Sequence, residues 1–139
     1  LESYLAARGM ADKDSRLDKR SSHLLLLAEN QTGYKNLLKI ASAAQIDGFY
    51  YVPRIDHEFL AAHSEGLIAT SGCLSAEIPR ALKEDDLEKA KSMLDWYYEV
   101  FGPERFFIRN LNKPSFLDNR LRGFSCACHL FKDILCNLS

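Results

Sequence analysis

Short apolar runs alternate with longer stretches of helical period along this chain, and that alternation restricts its fold more than any other feature. "SHLLLLAEN", Ser22 to Asn30, is a continuous apolar run between polar ends. It predicts a strand buried on both faces, of the kind found in parallel sheets covered by helices. The period then changes. Across "NQTGYKNLLKIASAAQIDG" the residues Tyr34, Leu37, Leu38, Ala41 and Ala44 recur at helical spacing, with Thr32 placed to cap the start and Gly48 the end. "GLIAT" and "RFFIRNL" are further strands, and "ESYLAA" is a short one at the start. Strands interleaved with helices predict an α/β fold with parallel strands, as a barrel or an open sheet.

The remaining segments fit this frame. "FYYVPRID" is extended, because Pro53 biases Val52 away from helix. Asp56 caps a short helix over "HEFLAAH", and Ser75 is placed to cap "AEIPRALK". The helix over "DDLEKAKSMLDWYYEVFG" carries a stripe of Leu87, Ala90, Leu94, Tyr97 and Phe101, opens on an acidic pair and stops at Gly102-Pro103. Arg8 to Ser22 is dense in charge and reads as a solvated loop.

With 139 residues the chain has the length of one domain. Its net charge of −1 gives no general electrostatic case for nucleic-acid or membrane binding. The longest apolar run is far too short to span a bilayer. Of the four cysteines, Cys73 stands apart while Cys126, Cys128 and Cys136 crowd the end. Nothing before Cys126 reads as a disulfide framework, which favours a reducing, cytoplasmic setting. The opening Leu1-Glu2, without Met, is expected of a cut end.

In parallel α/β folds, functional side chains gather at the carboxyl ends of strands and in the loops that follow. Cys73 has that position, between the strand "GLIAT" and a helix. It is either a small apolar residue filling a gap or a thiol facing a site. Glu2 and His23 sit at the starts of their strands, and their spacing with Cys73 forms no compact metal motif. His57 and His63 are six residues apart, not a one-face helical spacing, so solvated helix-end histidines are expected there. "CACH", Cys126 to His129, lacks a second pair of ligands, and Ser71-Gly72 lacks the glycine-rich loop or lysine of a phosphate cradle.

"HLLLLAENQTGYKNLLKIASAA", "GFYYVPRID" and "EGLIATSGCLSAEIPRAL" occur in one order with compact gaps. Together they resemble the PHP (polymerase and histidinol phosphatase) domain of the bacterial replicative DNA polymerase III alpha subunits. The likeness covers about Glu2 to Phe107. It implies part of a distorted TIM-like (β/α) barrel, lacking the first and last strands, over residues 1–108. It also implies three ligands of a divalent metal cluster of zinc, manganese or magnesium: Glu2 in "LESY", His23 in "SSHLLLLA" and Cys73 in "SGCL". No catalytic residue is assigned. In such families an intact cluster supports a 3′-5′ exonuclease or phosphoesterase role; in others the domain supports structure and binds the proofreading subunit.

The family's opening His-x-His segment is expected upstream of Leu1, and its Asp-x-His pair is missing from the segment 109–139. That segment departs from the family pattern and is expected to be a divergent tail, frame-shifted, truncated or disordered. The resemblance further implies that DNA and deoxynucleoside triphosphates are bound by other parts of a parent polymerase, with proofreading and other replisome subunits as partners and no membrane. The alternatives are a stand-alone metal-dependent phosphoesterase of the same fold and a non-catalytic interaction module.

Overall fold

The computed structural model describes residues 1–108, which form one compact unit. The expectations for the tail, including Cys126, Cys128, His129 and Cys136, lie outside the described residues. In chain order the elements are β1 (Glu2–Ala6), β2 (Ser21–Ala28), α1 (Gln31–Ile46), β3 (Arg54–Ile55), α2 (His57–Ala62), β4 (Leu67–Thr70), α3 (Glu77–Lys83), α4 (Leu87–Phe101) and β5 (Phe106–Phe107). The α/β class expected from the alternation is therefore present. The five strands form one sheet in the order β3-β1-β2-β4-β5.

That sheet is mixed and not all parallel. β1 and β3 run together, as do β4 and β5, but β2 is antiparallel to both of its neighbours. The reason lies in the connection. A parallel neighbour needs a crossover, usually a helix, whereas Ala7 to Arg20 returns the chain directly alongside β1. Glu2 thereby pairs with Leu25, and Tyr4 with His23.

Nor is β2 buried on both faces. Ser22, Leu24 and Leu26 are buried, whereas Leu25 and Leu27 are 37% and 46% exposed. Its inward face shares a layer with Leu5, Leu67, Ala69 and Phe106, all buried. α1 packs against β2, β3 and β4, and α4 against β4 and β5. The other face carries Glu2, His23, Leu25, Leu27 and Phe107 by strand alternation, and among the described residues no helix covers these side chains.

Helix α1 turns a different side to the core than its apolar stripe predicts. Gly33, Asn36, Ile40, Ala43 and Ala44 are buried, while Tyr34 and Leu38 are about half exposed. Close approach decides this. A Cβ on Gly33 would collide with the Gly66 carbonyl, so the absent side chain lets the helix lie against the turn before β4. Asn36 Nδ2 donates to the Glu65 carbonyl at 2.9 Å in the same turn. The cap is Asn30, whose side chain accepts from the Gly33 N–H at 3.0 Å, and not Thr32.

Helices α2 and α4 start as expected, on the carboxylates of Asp56 and Asp86, each accepting a backbone N–H from the residue three places on. α3 does not: its N-cap is Ala76, which makes no side-chain cap bond, and Ser75 lies one residue outside. In α4 the residues Ala90, Leu94, Tyr97 and Phe101 are buried, but Leu87 at the start of the stripe is exposed.

The charged connection before β2 is not simply solvated. Asp18 is buried, and its carboxylate accepts from Arg8 Nε at 2.9 Å, Arg8 Nη2 at 2.6 Å and the Asp14 N–H at 2.8 Å. The Arg8 guanidinium holds the Asp18 carboxyl below the usual carboxylate range, against the upward pull of its burial. Arg54 is wholly buried beside it, donating to the carbonyls of Gly48, Asp12 and Asp18 at 3.2, 2.9 and 3.0 Å. Its guanidinium also lies 5.0 Å from the centre of the Tyr50 ring. An arginine at 0% exposure thus ties the connection to β3.

Candidate metal centre

β1 and β2 bring two of the three expected ligands together. In the antiparallel register Glu2 sits opposite Leu25 and His23 opposite Tyr4, so Glu2 and His23 are diagonal neighbours on one face. His23 Nδ1 lies 2.8 Å from Glu2 Oε1, and the imidazole meets the Tyr4 ring edge-on at 4.7 Å. The Glu2 side chain is 61% exposed and that of His23 is 33% exposed, so both reach the open face of the sheet. With Nδ1 turned to Glu2, His23 Nε2 and Glu2 Oε2 remain without a protein partner among the described residues.

Cys73 stands in the loop between β4 and α3, half-buried and unbridged. The backbone around it is set by Gly72, whose φ of +72° lies in the left-handed region. A Cβ there would come within 3.0 Å of the His23 carbonyl oxygen and 2.9 Å of the Ala76 Cβ. The turn carrying the thiol therefore packs directly on the backbone of His23. Sequence separation hides this: Gly72 meets the His23 backbone only because β2 and β4 pair.

The donor types fit a zinc-like ion, for which oxygen, nitrogen and thiolate ligands are all usual. The geometry fits only in part. Two bonds of about 2.0–2.2 Å to one tetrahedral ion put the donors roughly 3.4 Å apart, so a pair at 2.8 Å would have to open by several tenths of an ångström. Among the described residues, no group of three or more His, Cys, Asp or Glu side chains is placed to hold a metal ion. Glu2 and His23 meet; Cys73 does not complete the set.

A second histidine–glutamate contact was not legible in the sequence. His57 Nε2 lies 3.0 Å from Glu77 Oε2, and the same oxygen accepts from the Tyr97 hydroxyl at 3.1 Å. The His57 ring meets Trp96 edge-on at 4.6 Å. His57 is thus no solvated helix-end residue: it joins α2 to α3 and α4. Burial pulls its pKa down, but the hydrogen bond to Glu77 and the charges of Glu77 and Asp56 outweigh that and raise it. Burial, then the charge of Glu77 and the bond to it, push the Tyr97 hydroxyl well above its ordinary range. His63 lies elsewhere, donating from Nδ1 to the Phe59 carbonyl at 2.9 Å and stacked on the Phe59 ring. The two histidines share no site.

Comparison with known proteins yields one consistent picture. The PHP domain family matches residues 1–110. A DNA polymerase III subunit alpha from Thermus aquaticus is 47% identical over 113 residues, covering 80% of this chain and 9% of that protein. The protein of the same name from Borreliella burgdorferi is 47% identical over 103 residues, covering 73% and 9%. That from Treponema pallidum is 40% identical over 108 residues, covering 77% and 9%. The chain thus spans about 9% of the length of these relatives.

Proposed function

The chain belongs to the PHP domain family, and from that membership we propose that it is part of the PHP domain of a DNA polymerase III alpha subunit. On this reading the parent is a cytoplasmic DNA-directed DNA polymerase of chromosome replication. DNA and deoxynucleoside triphosphates are bound by its other parts, and a proofreading subunit and further replisome subunits are its partners. The identities to relatives of that name support the reading. The sheet is one wall of a TIM-like barrel. Its open face is the barrel interior, consistent with helices packing on the opposite side.

The observation that carries the site is the 2.8 Å contact between Glu2 and His23 on that open face. Glu2, His23 and Cys73 are the side chains that would hold a divalent ion, once the Glu2–His23 contact opens, together with donors from outside residues 1–108. Such an ion, when bound, lowers the pKa of water and binds a phosphate oxygen, the chemistry of phosphoester hydrolysis. Gly72 seats the Cys73 turn on the His23 backbone. A second reading, a non-catalytic module for binding a proofreading partner, is favoured by the lack of a three-donor group among the described residues.

Elemental analysis of the complete polypeptide carrying this domain decides between them. Wild type is expected to retain zinc or manganese through dialysis, and Glu2→Gln and His23→Gln to lose most of it. Equal metal content in wild type and both variants contradicts the metal reading and leaves the interaction module.

A further inference from the structure

On the helix side of the sheet, a recess of about 290 Å³ opens between the start of β2, α3 and α4. Its rim carries Arg20, Arg80 and Lys89. Ser22 lines it too, and because side chains alternate along a strand, Ser22 points to the opposite face of the sheet from His23. The recess is therefore separate from the Glu2–His23 pair.

Arg80 is held in place. Its Nη2 donates to the Ser75 carbonyl at 2.7 Å and the Ser21 carbonyl at 3.2 Å. These bonds fix the guanidinium plane, while Nε and Nη1 have no partner among the described residues. Among the described residues, none of Arg20, Arg80 and Lys89 takes part in an ion pair. Two carboxylates line the recess as well, Glu77 and Glu84. Glu77 turns Oε2 to His57 and Tyr97. Three cations thus face Glu84 and a glutamate already engaged elsewhere.

We propose that this recess binds a phosphate group. A fixed guanidinium with free N–H groups matches the oxygens of a phosphate, and a lysine and a second arginine add charge around it. The volume, near the lower end of ligand pockets, admits the phosphate and a small part of whatever it is esterified to. That phosphate belongs either to a small free anion or to the end of a nucleic-acid strand.

Calorimetric titration of the full chain tests the proposal, with inorganic phosphate in one arm and a 5′-phosphorylated trinucleotide in the other. Ionic strength is fixed and a chelator removes divalent metals. Saturable binding is expected in at least one arm. Combining Arg20→Gln with Lys89→Gln weakens it by about tenfold or more, the loss of one charge-assisted contact or better. Glu84→Gln tightens binding, and Glu2→Gln leaves it unchanged. Both substituted cations are exposed, and unchanged far-ultraviolet circular dichroism shows that the variant folds. A tighter trinucleotide assigns the recess to nucleic acid, and equal affinity assigns it to a free phosphate. No saturable binding in either arm, or binding indifferent to Arg20 and Lys89, overturns the proposal.

Discussion

Two histidine–glutamate contacts of nearly equal length occupy opposite sides of the sheet, 2.8 Å for Glu2–His23 and 3.0 Å for His57–Glu77. Their surroundings give them different work. Glu77 is 9% exposed and gives one oxygen to both His57 and Tyr97, so three helices meet at one carboxylate. Glu2 is 61% exposed and leaves an oxygen and the His23 Nε2 without protein partners among the described residues. A saturated, buried contact holds helices together, whereas an unsaturated one on an open face is available to a ligand. The residue pair alone does not say which; burial and a third partner do.

Substitutions sharpen this contrast. Glu77→Ala has the largest expected effect, since it strands a half-buried imidazole and a buried hydroxyl: about 1–3 kcal/mol of stability is lost. Chemical denaturation measures it, and a loss near zero would make the two pairs equivalent. Tyr97→Phe removes one hydrogen bond while keeping the ring stacked on Phe106, so roughly 1 kcal/mol is expected from the same measurement.

The pH dependence is smaller and has a definite sign. The folded pKa of His57 is raised above its ordinary 6.5, so the stability it contributes is fully present below that value. It is lost as pH rises through the higher folded value. The groups facing the ring are Glu77 from α3, Asp56 at the start of α2, and Trp96 from α4, with Tyr97 reaching it through Glu77. Melting temperatures of wild type are expected to fall across this window and those of Glu77→Gln to stay flatter. Identical profiles would remove Glu77 as the cause. The smallest effect belongs to Glu2→Gln, within about 0.5 kcal/mol of wild type, as for exposed substitutions generally. A loss comparable to that of Glu77→Ala would show the open-face pair to be structural.

Much of the fold was legible because apolar runs and caps are local signals. "GLIAT", the Asp56 cap and the stripe Ala90, Leu94, Tyr97 and Phe101 all appear as read. What was hidden depends on contacts between distant residues. The side of α1 that faces the core is set by Gly33 against Gly66 and by Asn36 against Glu65, so the more apolar Tyr34–Leu38 side is left outside. Asp18 and Arg54 looked like members of a solvated charge run and an extended segment, yet both are buried and Arg54 Nη1 donates to the Asp18 carbonyl. β2 looked buried on both faces because its leucines are continuous, but no helix covers Leu25 and Leu27 among the described residues. In the candidate site, Cys73 stood out by its place after a strand, whereas Glu2 and His23 were named as ligands only through family resemblance. Pairing of β1 with β2 brings the first two together, which no spacing in the chain reveals.

Cobalt substitution of the complete polypeptide tests most directly whether those three side chains share one ion. Cobalt(II) bound by a thiolate shows a sulfur-to-metal charge-transfer band in the near ultraviolet. The band is expected to vanish in Cys73→Ser and to weaken in His23→Gln and Glu2→Gln, with Glu77→Gln unchanged. A band that survives Cys73→Ser, or a spectrum indifferent to His23 and Glu2, would contradict the shared site.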